Sequence, residues 1–169
     1  GRGELTPQLR LTYSSGQGQG PYGLGWSLSV PGVTRKTSRG VPRYRGNDTF
    51  VLSGSEDLVE VDRDGDTVQY RPRTEGLYSR IEHITSGNEN YWRVETTSGK
   101  TSVYGSPDLA DGERDPATVA APSDPSKIYQ WKLLWTEDPF GNRIEYSYER
   151  REGDGWEQLY LDGIRYVDY

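Results

Sequence analysis

This 169-residue chain holds one histidine and no cysteine, so the residues able to do chemistry are quickly counted. A serine–histidine–carboxylate site would have to use His83. That residue sits in Arg80-Ile81-Glu82-His83-Ile84, an alternating run that reads as a strand, and no Gly-x-Ser-x-Gly elbow occurs anywhere. His83 therefore reads as a strand residue rather than a base. Zinc–thiolate sites and disulfides are excluded outright.

Two polar or glycine-rich motifs invite a ligand. Gly16-Gln17-Gly18-Gln19-Gly20 resembles a phosphate loop, but such a loop needs a strand before it and a helix after it. Here Pro21-Tyr22-Gly23-Leu24-Gly25-Trp26 leads into another strand, and the Walker lysine is missing. A glycine-permitted chain path is the simpler reading. Asp62-Arg63-Asp64-Gly65-Asp66 has the oxygen density to wrap Ca²⁺, yet a full EF-hand loop counted from Asp62 places Arg73 where glutamate belongs. An Asp-Gly hairpin explains the same letters, so no metal and no cofactor is assigned. Paired carboxylates for glycoside hydrolysis carry no signal among 26 acidic residues.

The elements that would position these residues are strands. Period-two alternation marks Leu9–Tyr13, Trp26–Val30, Phe50–Leu52, Leu58–Val61, Val68–Tyr70, Leu77–Ile84, Trp92–Thr96 paired with Thr101–Val103, Ile144–Tyr148 and Leu159–Tyr169. The cleanest run is Tyr129, Trp131, Leu133 and Trp135, whose spacing predicts four large residues on one strand face. Turn signals separate them at Asp64-Gly65-Asp66, Ser86-Gly87-Asn88, Ser98-Gly99-Lys100 and Phe140-Gly141-Asn142. No window has helical periodicity with a cap. The fold class is all-β, an extended, curved antiparallel sheet of hairpins.

A single domain over 1–169 is expected. Gly105 to Lys127, with Pro107, Pro116, Pro122 and Pro125, reads as a long loop. Sub-sheets over 1–104 and 128–169 are the alternative to one continuous sheet interrupted by an excursion. The chain begins at Gly1 and has no methionine, as an excised or processed segment would. A net charge of -6 argues against nucleic-acid or anionic-membrane partners, and no apolar run is long enough to insert in a bilayer. Gly23, Gly25 and Trp26 are expected to fix the approach to the second strand, Gly141 and Asn142 to make a hairpin turn, and Trp131 and Trp135 to anchor a sheet face.

Several blocks in order resemble a known family. Leu11-Thr12-Tyr13 through Gly23-Leu24-Gly25-Trp26-Ser27-Leu28-Ser29-Val30-Pro31, then Gly40-Val41-Pro42-Arg43-Tyr44, Asp48 to Gly54, Tyr91-Trp92-Arg93-Val94 and Asp138 to Tyr146, are similar to the SpvB family and to the N-terminal region of the B component of bacterial insecticidal toxin complexes (Tc toxins). The Asp138–Tyr146 block also resembles an Rhs/YD-repeat unit. The resemblance implies a non-enzymatic structural segment of a secreted toxin-delivery protein, part of a β-sheet shell enclosing a cytotoxic effector. Its implied partners are the remaining domains of the same polypeptide, an Rhs-type C component and the effector. A carbohydrate- or protein-binding module using Tyr/Trp faces is the competing reading. A wall of this kind would have little conventional core, and a section of it would lean on flanking strands at its edges.

Overall fold

The computed structural model describes residues 5, 7, 9–13, 19–20, 23–24, 26–36, 49–53, 57–73 and 76–168. These form fifteen strands and no helix. Two small ribbons stand at the N-terminal side. β1 (Arg10–Tyr13) pairs β4 (Trp26–Ser29), and β2 (Gln19–Gly20) pairs β3 (Gly23–Leu24). The main sheet is built from β7 (Leu58–Asp64), β8 (Thr67–Pro72), β9 (Tyr78–Ser86), β10 (Glu89–Thr96), β11 (Thr101–Tyr104), β13 (Asp124–Glu137), β14 (Arg143–Gly153) and β15 (Trp156–Val167). Its order is β15-β14-β13-β11-β10-β9-β8-β7, antiparallel throughout.

Three further strands join through β13. β5 (Gly32–Lys36) and β12 (Thr118–Ala121) pair the first half of β13, and β6 (Thr49–Leu52) pairs β5. The second half of β13 pairs β11 and β14. The long strand is therefore common to both layers. Val33, Phe50, Leu52, Ala120 and Ile128 from one layer meet Ile81, Trp92, Val94, Tyr104 and Ile144 from the other in one buried cluster. Sheet curvature brings β12 alongside β15, nearly closing a barrel-like shape.

Two expectations need correcting. The core is a conventional one rather than a thin wall, because β5, β6 and β12 cover the inner face of the main sheet. The segment 105–127 is also not a loop throughout, since it holds β12 and the first residues of β13. β12 escapes sequence reading because Thr118-Val119-Ala120-Ala121 is buried on both faces and so shows little alternation.

β13 also departs from its simple pattern. Its partners step from Gln130 to Ile128 against β12 and from Trp135 to Leu133 against β11, so Tyr129 and Leu134 are extra residues in β-bulges. Each bulge shifts the phase of the side chains. The buried set becomes Ile128, Trp131 and Leu133, while Trp135 lies half-buried in the row of Arg93, Val103 and Glu145 on the outer face. The Arg143 guanidinium lies 4.0 Å from the Trp135 ring centroid and covers it. Trp131 and Trp135 thus anchor opposite faces.

Gly32 permits the close approach of β5 to β13, since a Cβ there would sit 2.7 Å from the Trp131 carbonyl oxygen. Trp131→Ala should lower unfolding stability by roughly 3–5 kcal/mol, the range for a buried aromatic truncated to Ala. Trp135→Ala should cost less, and Gly32→Ala about 1–3 kcal/mol through forced separation of β5 from β13. Urea denaturation of the three variants checks this order.

Candidate functional site

His83 lies at the centre of an aromatic box. Its ring stacks on Trp92 at 4.3 Å and 2°, with Phe50 and Trp131 edge-on at 5.5 and 5.4 Å. Registry explains the stack, because His83 on β9 is directly opposite Trp92 on β10. Nε2 is 2.6 Å from Asn90 Oδ1, and the Nε2–H tautomer donates to it. Asn90 also accepts Trp131 Nε1–H on its backbone oxygen at 3.1 Å. Arg35 donates Nε–H to the Ile128 carbonyl at 3.1 Å and lies over Phe50. Burial drives the His83 pKa down to about 4, against a smaller upward push from the Asn90 hydrogen bond. The ring is neutral at neutral pH and is spent on packing. Among the described residues, neither a serine nor a carboxylate is in its ring or hydrogen-bond contacts.

The other sequence candidates resolve into turns. Asp62–Asp66 spans the end of β7 and its hairpin to β8, with Gly65 at φ +58°. Asp62 Oδ1 accepts the Arg63 N–H at 2.9 Å. Among the described residues no group of three or more His, Asp or Glu is arranged to hold a metal ion. In the glycine-rich segment, Gln19–Gly20 pairs Gly23–Leu24 and the chain enters β4 at Trp26. Gly16, Gly18 and Gly25 lie outside the described residues.

Gly141 takes φ +88° in the β13–β14 connection. Asn142 acts through its donors, and the organising acceptor is Asp138, a residue not singled out in the sequence. Its Oδ1 accepts from the N–H of Phe140 and of Asn142 at 2.9 and 3.0 Å, and its Oδ2 from Asn142 Nδ2–H at 3.0 Å. Desolvation opposes ionisation of Asp138, but these hydrogen bonds outweigh it and hold the carboxyl below its ordinary value. The Asp138-to-Phe140 bond is an Asx-turn, in which an aspartate binds the backbone two residues on, and an Asp shortly before Gly-Asn is the signal for it.

A polar cluster elsewhere was not legible in advance. Glu157, at the start of β15, is buried to 1% side-chain exposure and ion-paired to both Arg150 and Arg114. Arg114 also pairs Glu152. Arg150 Nη2 donates to the carbonyls of Asp115 at 2.6 Å and Thr118 at 3.0 Å. Asp115 accepts the N–H groups of Ser106 and Ala117 at 2.9 and 2.8 Å, and burial raises its pKa against those bonds. A cavity of about 100 Å³ lies beneath, bordered by Asn88, Leu109, Ile128 and Glu157. Nothing in this set resembles a nucleophile with its base.

Among the described residues the main sheet ends in two unlike edges. β7 carries Glu60, Asp62, Arg63 and Asp64 and a bulge at Val61, the usual defences of an exposed edge. β15 is twelve residues long and leaves Trp156 and Tyr166 exposed.

The family model described as Salmonella virulence plasmid 65kDa B protein, SpvB, matches residues 1–163. The chain belongs to the SpvB family. The mono(ADP-ribosyl)transferase SpvB of Salmonella typhimurium is 31% identical over 172 residues, covering 89% of this chain and 28% of that protein. The Salmonella dublin transferase has the same identity and coverage. Among solved structures, the N-terminal domain of effector protein SpvB from Salmonella typhimurium strain LT2 superposes with a TM-score of 0.73 at 28% identity, covering 95% of this chain and 58% of that one. The TcdB2-TccC3-Cdc42 crystal structure gives 0.75 at 30% identity, covering 95% of this chain and 9% of that one. This SpvB-family chain is a toxin-associated β-domain and spans 28% of the length of the curated transferases.

As the only histidine, His83 gives one Cε1–H signal by NMR. Its midpoint should fall near pH 4, and a midpoint near the ordinary 6.5 would contradict the buried box. The sign for stability follows. Between about pH 6.5 and 4 the unfolded chain takes up a proton that the folded chain refuses, so stability falls as pH falls through that window. The loss through this one group is on the order of 3 kcal/mol.

Proposed function

We propose that this chain is a non-enzymatic structural segment of a bacterial toxin-delivery protein, forming part of a β-sheet shell that carries a cytotoxic effector. The observation carrying this reading is the superposition of 95% of the chain on both a TcdB2-TccC3 assembly and the SpvB N-terminal domain. The side chains agree with it. The single histidine is committed to stacking, and the buried carboxylates are committed to turns and ion pairs. Two of the tryptophans that might have formed a carbohydrate-binding face, Trp92 and Trp131, are fully buried.

In this role the partners are the remaining domains of the same secreted polypeptide, an Rhs-type C component and its enclosed effector. The edges β7 and β15 are the places where neighbouring wall strands would join, and β15 is the less defended of the two.

A chimera tests the reading. Residues 1–163 of this chain, replacing the matching region of TcdB2, should still yield a complex that co-elutes with TccC3. A folded chimera unable to retain TccC3 would overturn the structural role. The isolated chain should consume no NAD; turnover that survives repurification would overturn the non-enzymatic part.

A further inference from the structure

The near-barrel closes at a seam unlike its other junctions. β12 lies alongside β15, yet β12 pairs only β13, and β15 pairs only β14, among the described residues. Side chains bridge the gap instead of a backbone ladder.

The strand register makes that bridge necessary. Glu152 on β14 and Glu157 on β15 are directly opposite one another, a like-charge pair that disfavours the hairpin. Arg114, in the excursion between β11 and β12, places one guanidinium nitrogen against each of these carboxylates. Arg150 supplies the second counter-charge to Glu157 from within β14. Glu157 is buried while Arg114 remains 43% exposed, so one of its partners is reachable by solvent and salt. The ends of the excursion are tied by backbone, Gly105 N–H donating to the Lys132 carbonyl and Lys132 N–H to the Ala117 carbonyl, and Arg150 Nη2 donates to the Asp115 carbonyl. Asp115 binds its own backbone neighbours, and Asn88 Nδ2 donates to the Leu109 and Ala110 carbonyls at 3.2 and 2.8 Å. A cavity of about 100 Å³ is bordered by Leu109, Glu113, Arg114 and Asp115 of the excursion, whose residues 108 and 110–114 are exposed.

We propose that the 105–117 excursion is a strap. Arg114 closes the seam between β12 and β15 by neutralising the opposed Glu152 and Glu157, and its release opens the seam locally and bares the start of β15. The inference concerns this chain alone and does not depend on the shell reading.

Hydrogen–deuterium exchange on the full 169-residue chain tests it. Arg114→Gln should speed exchange of residues 106–121 and 156–160 by about tenfold or more, leaving β9 and β10 unchanged, as sub-global opening requires. Arg114→Lys keeps the charge but loses the two-pronged geometry, and should fall between. Adding Glu152→Gln to Arg114→Gln removes the like-charge pair and should restore much of the protection. High salt should accelerate the same segments in the parent chain but not in Arg114→Gln. Unchanged exchange at the seam in Arg114→Gln would overturn the strap. So would acceleration spread equally over β9 and β10, or a double variant opening no less than the single one.

Discussion

Everything in this domain depends on β13 being shared by two layers. A strand has two edges, and β13 uses them differently along its length. Its first half bonds β12 and β5, and its second half bonds β11 and β14. One backbone thereby fixes the layers relative to each other before any side chain is considered. The bulges at Tyr129 and Leu134 bend the strand enough to serve both, and they decide which of its large residues reach the core. Trp131 stands at the crossing. Its indole N–H meets the Asn90 carbonyl, and its ring closes the aromatic box.

Within that frame the polar groups that could have supported chemistry are used for structure. His83 is desolvated to stack on Trp92, and Glu157 is surrounded by arginines. Asp138 caps a turn, and Asp115 closes a loop. Asp115 and Asp138 accept backbone N–H groups and Glu157 is ion-paired to arginines, as expected where polar groups are tolerated in a core for shape. The outer face of the main sheet, by contrast, alternates acids and bases, as in Glu145–Arg165 and Glu137–Arg143.

Strand existence was largely legible because most strands here have one wet face and therefore alternate. Four turns were legible where glycine carries a positive φ, at Gly65, Gly87, Gly99 and Gly141, whereas the positive-φ Gly155 between β14 and β15 was not singled out. What failed has a common cause. β12 is buried on both sides, and β5, Gly32-Val33-Thr34-Arg35-Lys36, offers a single large apolar residue, so neither shows a period. Bulges in β13 are invisible to a spacing rule, so spacing alone puts Trp135 on the same face as Trp131 whereas the structure puts it on the other. The Arg114–Glu157–Arg150 cluster joins residues from three separate segments, and only tertiary register reveals that two glutamates oppose each other.

The pairing of Thr34 with Gln130 has a further consequence for biosynthesis. As the chain leaves the ribosome, β5 and β6 appear early, but the strand that completes their layer is made almost a hundred residues later. Until then β5 lacks its β13 partner and Phe50 lacks its contact with Trp131, and the loop that must close is long. Such a nascent chain holds a partly apolar β5–β6 hairpin with the β5 edge open while the intervening residues are made, the condition under which chaperones bind and strands mispair. Assembly of this domain is therefore governed by the arrival of its thirteenth strand, not by the order in which its hairpins are made.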